Sequence, residues 1–338
     1  MIYYPGADGG TMVLPPPPPG HHLVQPAGTV LHLPMPVPVP MHPPPLEQFA
    51  FAAARRHAPQ AEVEVRDVWE WNLAEEMSAI TALLPTHPVV CIDTEFLGTV
   101  HDSPTPRHLR DPHQNYALVR RNADELKKLL QLGIALVGPQ GRYRVVWQFN
   151  FWGFDEARDP HAPASVAMLK AHGMDFDRLQ EDGIDPRAFA REFARSGLAL
   201  GRQGKDSLGI TWVAFSGSYD FAYLAKVLRR GKRLPKKLDG FRSLVGKLFG
   251  PGVLDVKYIA KACGVHGGLD QVATALGVDR AAGRAHNAGS DSLLTADVLR
   301  AIVARFFTHV DVRLMYAGAI DGLAVSRETY VQINNFVA

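Results

Sequence analysis

The chain of 338 residues contains only two cysteines, Cys91 and Cys263. They supply neither a disulfide framework nor a Cys-x-x-Cys zinc pair, and they favour a reducing compartment. No stretch approaches the roughly 18 consecutive apolar residues a membrane span requires, so no membrane partner is expected. The first residues, MIYYPGADGG, lack a basic segment followed by an apolar run and do not read as a secretory signal. An excess of one charge is missing too: 36 Lys and Arg stand against 34 Asp and Glu, a net charge of +2. No global basic field marks a nucleic-acid binder, although the balance does not exclude one. Walker A, HExxH and GxSxG patterns are absent, which leaves ATPase, zincin and serine hydrolase chemistry without support. What remains is ordinary: 46% hydrophobic and 21% charged residues, enough to bury a full core.

The N-terminal segment concentrates proline and is nearly free of charge. Fourteen of the 26 prolines lie between Pro5 and Pro45, where Asp8 is the one charged residue. Proline fixes φ and removes the amide donor, so this segment joins neither helix nor sheet. Residues 1–48 are expected to form a disordered, partly polyproline II tail, either inert or a ligand for a proline-recognising module. Residues 49–338 are expected to hold the folded domain, with order beginning between Phe49 and Glu64.

Beyond the tail the periodicity alternates. Asn72 to Leu84 has helical spacing, and PVVCIDTEF reads as a buried strand with a polar tip. LQLGIALVGPQGRYRVVWQFNF reads as two strands around the turn Gly138-Pro139-Gln140-Gly141. Helices are expected over Ser165–His172 and Pro186–Ser196, then a strand in ITWVAFSG. Helices follow over Phe221–Arg230, Phe241–Phe249, Val256–Cys263 and Leu269–Leu276, with a last long one from about Ser290 to Phe307. A hairpin followed by strands interleaved with helices implies a mixed α/β sheet covered by helices.

Carboxylates carry the chemistry. Asp93 and Glu95 lie two apart on one strand and so share a face, where like charges repel unless a cation sits between them. A hard divalent ion with oxygen ligands does this naturally, whereas a solvated strand end is the plainer explanation of a lone Asp-x-Glu. Asp220 falls at a strand-to-helix junction, where it is either a third ligand or a helix cap. Asp291 opens the last helix, where the helix dipole favours an ionised carboxylate. His286 precedes it by five residues, across a segment, Ala288-Gly289, expected to be flexible. Together these residues would supply a two-metal nuclease site, with Asp93 bridging the ions and His286 as a general base near neutral pH.

CIDTEFLGTV, LLQLGIALVG, WQFNFWGF, GIDPRAFAREFARSG, AFSGSYDFAYLAKVL, DVKYIAKACG and HNAGSDSLL occur in that order. Together they closely resemble the carbon-catabolite-repressor-associated factor family, from about Val65 to Leu323. The resemblance implies an α/β, ribonuclease H-like DEDD exonuclease fold with a mixed central sheet covered by helices. It implies a 3′-to-5′ exoribonuclease that shortens mRNA poly(A) tails and releases AMP. The family's metal ligands fall on Asp93, Glu95, Asp220 and Asp291, and its catalytic histidine on His286. Two divalent cations, Mg2+ or Mn2+, are implied: Asp93, Glu95 and Asp291 would hold one, Asp93 and Asp220 the other. Implied partners are poly(A) RNA, the NOT scaffold and a second deadenylase subunit of the carbon catabolite repressor–NOT complex. The helix matching Asp185 to Ser196 lies near the scaffold contact in the family. Cytoplasmic and nuclear localisation is expected. Alternatives are a non-catalytic scaffold subunit and a DNA-directed exonuclease. The sequence departs from the family at Leu97, where proline is usual, at Ser216-Gly217-Ser218, and in a longer stretch from Gly201 to Ile210. Two further signals stand apart: a basic run from Arg229 to Lys237, either phosphate-binding or simply solvated, and the aromatics of WQFNFWGF, expected mainly in the core.

Overall fold

A computed structural model describes residue 63 and residues 65–106, 109–138, 144–198, 210–308 and 310–324. The tail, Pro139 to Gly141 of the expected turn, and residues 201–209 lie outside the described residues.

Six strands form one sheet: β1 (Val65–Val68), β2 (Val89–Phe96), β3 (Leu129–Val137), β4 (Arg144–Asn150), β5 (Thr211–Ala214) and β6 (Leu254–Asp255). Their order is β1-β4-β3-β2-β5-β6. β2, β3 and β4 pair antiparallel, while β1 joins β4 and the pair β5 and β6 join β2 in parallel. The parallel connections need crossovers, and helices supply them. One face packs α1 (Leu73–Leu83), α2 (Pro112–Leu126), α5 (Pro186–Arg195), α6 (Ser218–Leu228) and α7 (Leu238–Phe249). The other packs α8 (Val256–Ala262), α9 (Leu269–Leu276) and α10 (Ala288–Phe306). A smaller cluster beyond the tip of β2 holds α3 (Pro163–Ala171) and α4 (Phe176–Asp182). A short α11 (Val312–Tyr316) follows α10. Because both faces are covered, β3 reads LLQLGIALV rather than alternating with polar residues. Alternation survives as a choice of face: Val90 and Ile92 enter one core, Cys91 the other.

Register places the acids. Asp93 pairs with Gly133, and Gly133 with Gln148; Glu95 pairs with Gln131, and Gln131 with Asn150. Gly133 is a close-approach glycine: a methyl group there would overlap the carbonyl of Ala288. Lacking that methyl, β3 receives the first turn of α10 directly beside Asp93.

Several elements differ from the sequence reading. α10 starts at Ala288, with Asn287 as its N-cap, so Ala288 and Gly289 are buried helix rather than a flexible link. Packing on Gly133 extends the helix backwards. α6 starts at Ser218 with Gly217 as N-cap, which puts Asp220 inside the first turn and removes the simple capping explanation. Helix α2 lacked an assignment from its charged sequence, yet Asp111 caps it and Pro112 opens it. Asp111 Oδ1 accepts from Gln114 N at 2.8 Å, while Asp111 N donates to Gln114 Oε1 at 3.1 Å, a complete capping box. Strand β1 and helices α4 and α11 likewise add to the elements expected from periodicity. In WQFNFWGF, Trp147, Phe149 and Phe151 are fully buried, but Trp152 is 51% exposed.

Candidate metal centre

Three elements converge on the tip of β2. β2 brings Asp93 and Glu95, the first turn of α6 brings Asp220, and the first turn of α10 brings Asp291. Thr94, facing away from Asp93 and Glu95, donates its hydroxyl to Asp220 Oδ1 at 2.7 Å and so ties α6 to β2. Phe96 stacks on Tyr219 and Tyr223, with centroids 5.1 and 4.7 Å away, and fixes the same junction from the apolar side. Ligand-capable atoms of Glu95, His286 and Asp291 lie within 4.8 Å of one another.

The start of α6 is held by a residue from far along the chain. Asp255, fully buried, accepts from Ser216 N at 3.0 Å and Gly217 N at 2.9 Å. Ser216 takes φ 60°, a left-handed conformation few side chains adopt. The departure at Ser216-Gly217-Ser218 is therefore a turn anchored by Asp255. Leu97, the other departure, is fully buried, and its carbonyl accepts from Ala162 N at 2.9 Å.

The electrostatics are one-sided. Burial raises Asp93 well above the usual carboxylate range, and the fields of Asp220, Glu95 and Asp291 push further the same way. Burial pushes Glu95 up to about 8, helped by Asp291 and Asp220. Asp220 is pushed up to about 7 by burial, against the Thr94 hydroxyl. Asp291 is raised by burial and pulled back by Arg280. Arg280 Nη1 lies 2.5 Å from Asp291 Oδ1 and 2.6 Å from Ser290 Oγ, and Nη2 lies 2.7 Å from Asp270 Oδ1. Arg280 thus pairs with Asp291 and Asp270 and opposes the like charges on Asp93. Oxygen donors with a single imidazole suit a hard divalent cation such as Mg2+ or Mn2+, so the residues present fit that group.

His286 sits at φ 61°, and its backbone N–H donates to Asp291 Oδ2 at 3.1 Å. Its ring meets that of His172 edge-on, centroids 4.6 Å apart at 75°. His172 caps α3 and contacts the Met168 carbonyl through Nδ1 at 2.8 Å. Arg280, His172 and Asp255 were missed by sequence reasoning. No local pattern marks them; each acts on a residue brought near by the fold.

Comparison with known proteins supplies the family. The CAF1 family ribonuclease model matches residues 68–194. A probable CCR4-associated factor 1 homolog 7 from Arabidopsis thaliana is 35% identical over 272 residues, covering 78% of this chain and 94% of its own length. Poly(A) ribonuclease pop2 from Schizosaccharomyces pombe is 38% identical over 256 residues, covering 74% of this chain and 73% of its own. The chain belongs to the CAF1 ribonuclease family. Among solved structures, Mg2+- and Mn2+-bound S. pombe Pop2p superposes with TM-score 0.67 at 36% identity, covering 77% of this chain and 99% of that one. Yeast CAF1 co-crystallized with the NOT1 MIF4G domain gives TM-score 0.62 at 26% identity, over 78% of this chain and 99% of that one. The mixed sheet with helices on both faces is accordingly the α/β ribonuclease H-like fold expected from the motifs.

Proposed function

We propose that this CAF1-family ribonuclease is a 3′-to-5′ exoribonuclease that shortens poly(A) tails and releases AMP. The observation that carries the reading is the convergence of Asp93, Glu95, Asp220 and Asp291 on one place, where Arg280 opposes the like charges on Asp93. Asp93, Glu95 and Asp291 would hold one divalent cation, and Asp93 with Asp220 a second, Mg2+ or Mn2+ in each case. Bound cations supply Lewis-acid stabilisation of charge developing on the phosphoryl and leaving oxygens.

The chain's own residues do the rest. β2 and α10 fix the carboxylates through Gly133, and Thr94 orients Asp220. Water attacks the last phosphorus in line, and the bond to the upstream 3′ oxygen breaks; that oxygen takes a proton from solvent, leaving AMP and a shortened RNA with a 3′-hydroxyl end. His286 accepts the proton of that water at a ring nitrogen, as a general base does. The edge contact with His172 limits where the His286 ring can turn.

As in the relative solved with NOT1, we take the chain to work within a NOT and CCR4 assembly, with a second deadenylase subunit. The proline-rich residues 1–48 are proposed to bind a proline-recognising module. Cytoplasm and nucleus suit a chain whose Cys91 and Cys263 are free thiols.

The test is one gel. Purified protein is incubated with 5′-labelled RNA ending in A, C or U, and with oligo(dA), in Mg2+, Mn2+ or EDTA. Stepwise shortening of the A-ended RNA, blocked by EDTA, is expected. Equal cutting of oligo(dA) would favour the DNA-directed alternative, because the 2′-hydroxyl distinguishes RNA. No cutting in either metal would favour a scaffold.

A further inference from the structure

Beside the acids the sheet carries a row of polar side chains, on the face that packs α10. Glu95 lies opposite Gln131, and Gln131 opposite Asn150; nearer the middle of the sheet Gln148 lies opposite Asp67. Paired residues share a face, and neighbouring strands stand about 4.8 Å apart, so the row starts one strand from Glu95. Gln131, Gln148 and Asn150 are buried. They line a cleft of about 280 Å³ together with Asp67, Met174 and Asn287. Asn287 follows His286, so the cleft begins beside the proposed base. The core that holds α5 is on the other face of the sheet.

Hydrogen bonds fix which end of each amide points where. An ionised carboxylate only accepts, and Asp67 Oδ1 accepts from Gln148 Nε2 at 3.0 Å and Asn150 Nδ2 at 3.3 Å. Gln148 Oε1 accepts from Gly289 N at 3.2 Å, so both ends of that amide are used. Asn150 Nδ2 also donates to the carbonyls of Val68 and Gln148, at 3.3 and 3.2 Å. With its amino group so placed, Asn150 turns Oδ1 to Gln131, whose Nε2 donates to it at 2.8 Å. The row therefore ends on an acceptor, Gln131 Oε1. That atom is buried and has no hydrogen-bond partner. A buried acceptor left unmet costs stability, and the other amides of this row are paired at both ends.

Whatever meets Gln131 Oε1 must donate. Phosphate oxygens and base carbonyls carry no proton; a hydroxyl or an amine fits. In-line attack sets the water and the upstream oxygen on opposite sides of the phosphorus. The cleft is on the His286 side, across β3 and β4, whereas Asp220 comes from the β5 side of β2. It therefore takes the departing nucleotide rather than the upstream chain. The donors of a nucleotide nearest its phosphate are the ribose hydroxyls, and the amine of the base is further out. The far wall suits the base: Arg178 lays its guanidinium over the Trp69 ring, 4.1 Å from the centroid, and both residues line the cleft. Bases stack on such guanidinium planes. The volume is just below that of pockets for drug-sized ligands, which fits one nucleoside.

We propose that Gln131 reads the sugar of the 3′-terminal nucleotide: its Oε1 accepts a hydrogen bond from a ribose hydroxyl, and Arg178 stacks the attached base. The proposal rests on the exoribonuclease reading.

The experiment compares the full chain with Gln131→Met and Asp67→Asn on A10 RNAs whose last nucleotide is ribo, 2′-deoxy or 3′-deoxy. Methionine keeps length and packing volume but has no oxygen to accept. In wild type, loss of one of the two hydroxyls should cost about tenfold in kcat/KM for removal of that nucleotide. In Gln131→Met the same penalty should shrink to about twofold or less, because the partner is already gone. A merely structural glutamine would slow all three RNAs alike and leave the penalty intact. Asp67→Asn, on the edge strand β1, lets the row of amides run either way and should give an intermediate penalty; it leaves the core untouched, so it tests the same row should Gln131→Met unfold. A full penalty in the variants, or none in wild type, would overturn the proposal. So would loss of calorimetric Mg2+ affinity in Gln131→Met, which would make Oε1 a metal ligand. If wild-type protein cut none of these RNAs, the exoribonuclease reading would fail. Calorimetry of AMP and its 2′-deoxy and 3′-deoxy forms in Mg2+ would then still decide the cleft: a hydroxyl preference that disappears in Gln131→Met supports the proposal, and one that persists overturns it.

Discussion

Asp255 closes β6 and Asp93 lies within β2, and the protein treats these two strand carboxylates in opposite ways. Asp255 accepts from the backbone N–H groups of Ser216, Gly217, Lys257, Tyr258 and Asp321, all at 2.9–3.2 Å. Burial raises it, and the N–H groups of Asp321, Gly217 and Ser216 pull it back. Among the described residues no donor shell of that kind surrounds the Asp93 carboxylate; three like charges push on it, and Arg280 opposes them. One acid is solvated by the fold, so it stabilises. The other is left for a cation to solvate, so it costs stability until one binds. Burial of a carboxylate therefore does not mark function; the absence of the protein's own donors does.

The sharpest way to break the contrast is to remove each acid. Asp93→Asn should cut the rate by at least about 10³-fold, because a central ligand contributes several kcal/mol to transition-state charge stabilisation. The same variant, stripped of metal, should melt no lower than wild type, since like-charge repulsion is relieved. A folded Asp93→Asn protein with wild-type deadenylation would place the catalytic centre elsewhere. His286→Ala should slow the chemical step by about 10²–10⁴-fold while calorimetric metal affinity changes little. Lost metal affinity with normal turnover at saturating Mg2+ would make His286 a ligand instead.

Asp255→Ala should do the converse. It strands several buried N–H groups and frees the turn before α6, so a loss of about 3–5 kcal/mol is expected in denaturant titration. Any folded fraction should still bind Mg2+, because Asp255 is not among the proposed ligands. A variant as stable as wild type would show that water replaces the carboxylate easily.

How much of this was legible depends on how local each signal is. The Asp93 and Glu95 pair is readable because a strand's two-residue period puts both on one face. β3 and β4 are readable because apolar runs of that length, flanked by turn residues, leave few other outcomes. Helix α2 was equally readable in principle: Asp111-Pro112-His113-Gln114 carries an N-cap, an N1 proline and a capping-box glutamine. Its charged body obscured that signal. The start of α10 was misplaced because Gly289 suggests a break, whereas contact between Ala288 and Gly133, some 150 residues away, holds those residues in helix. Arg280, His172 and Asp255 matter through partners that only the fold supplies. Trp152 looks like its core neighbours Trp147 and Phe151 in sequence, and only register and burial single it out.

The smallest effect, and the finest test of the contrast, is in the pH dependence of stability. Glu95 is raised from 4.5 to about 8 and Asp220 from 3.8 to about 7. An acid whose folded pKa lies above its unfolded value keeps its proton longer in the folded chain. Its contribution is full below the unfolded value and is lost as pH rises through the folded one. Metal-free protein should therefore lose stability as pH climbs from about 4 to about 8. A divalent cation competes with those protons, so its stabilising effect should grow over the same range. In EDTA the melting temperature should fall by a few degrees between pH 6 and pH 8.5, and Mg2+ should recover more of it at pH 8.5. Asp93→Asn, lacking the central carboxylate, should show a shallower fall, because Asp220, Glu95 and Asp291 then repel one charge fewer. A melting temperature that held level or rose with pH in EDTA would mean the four acids are already solvated by the protein, as Asp255 is, and the contrast between them would be gone.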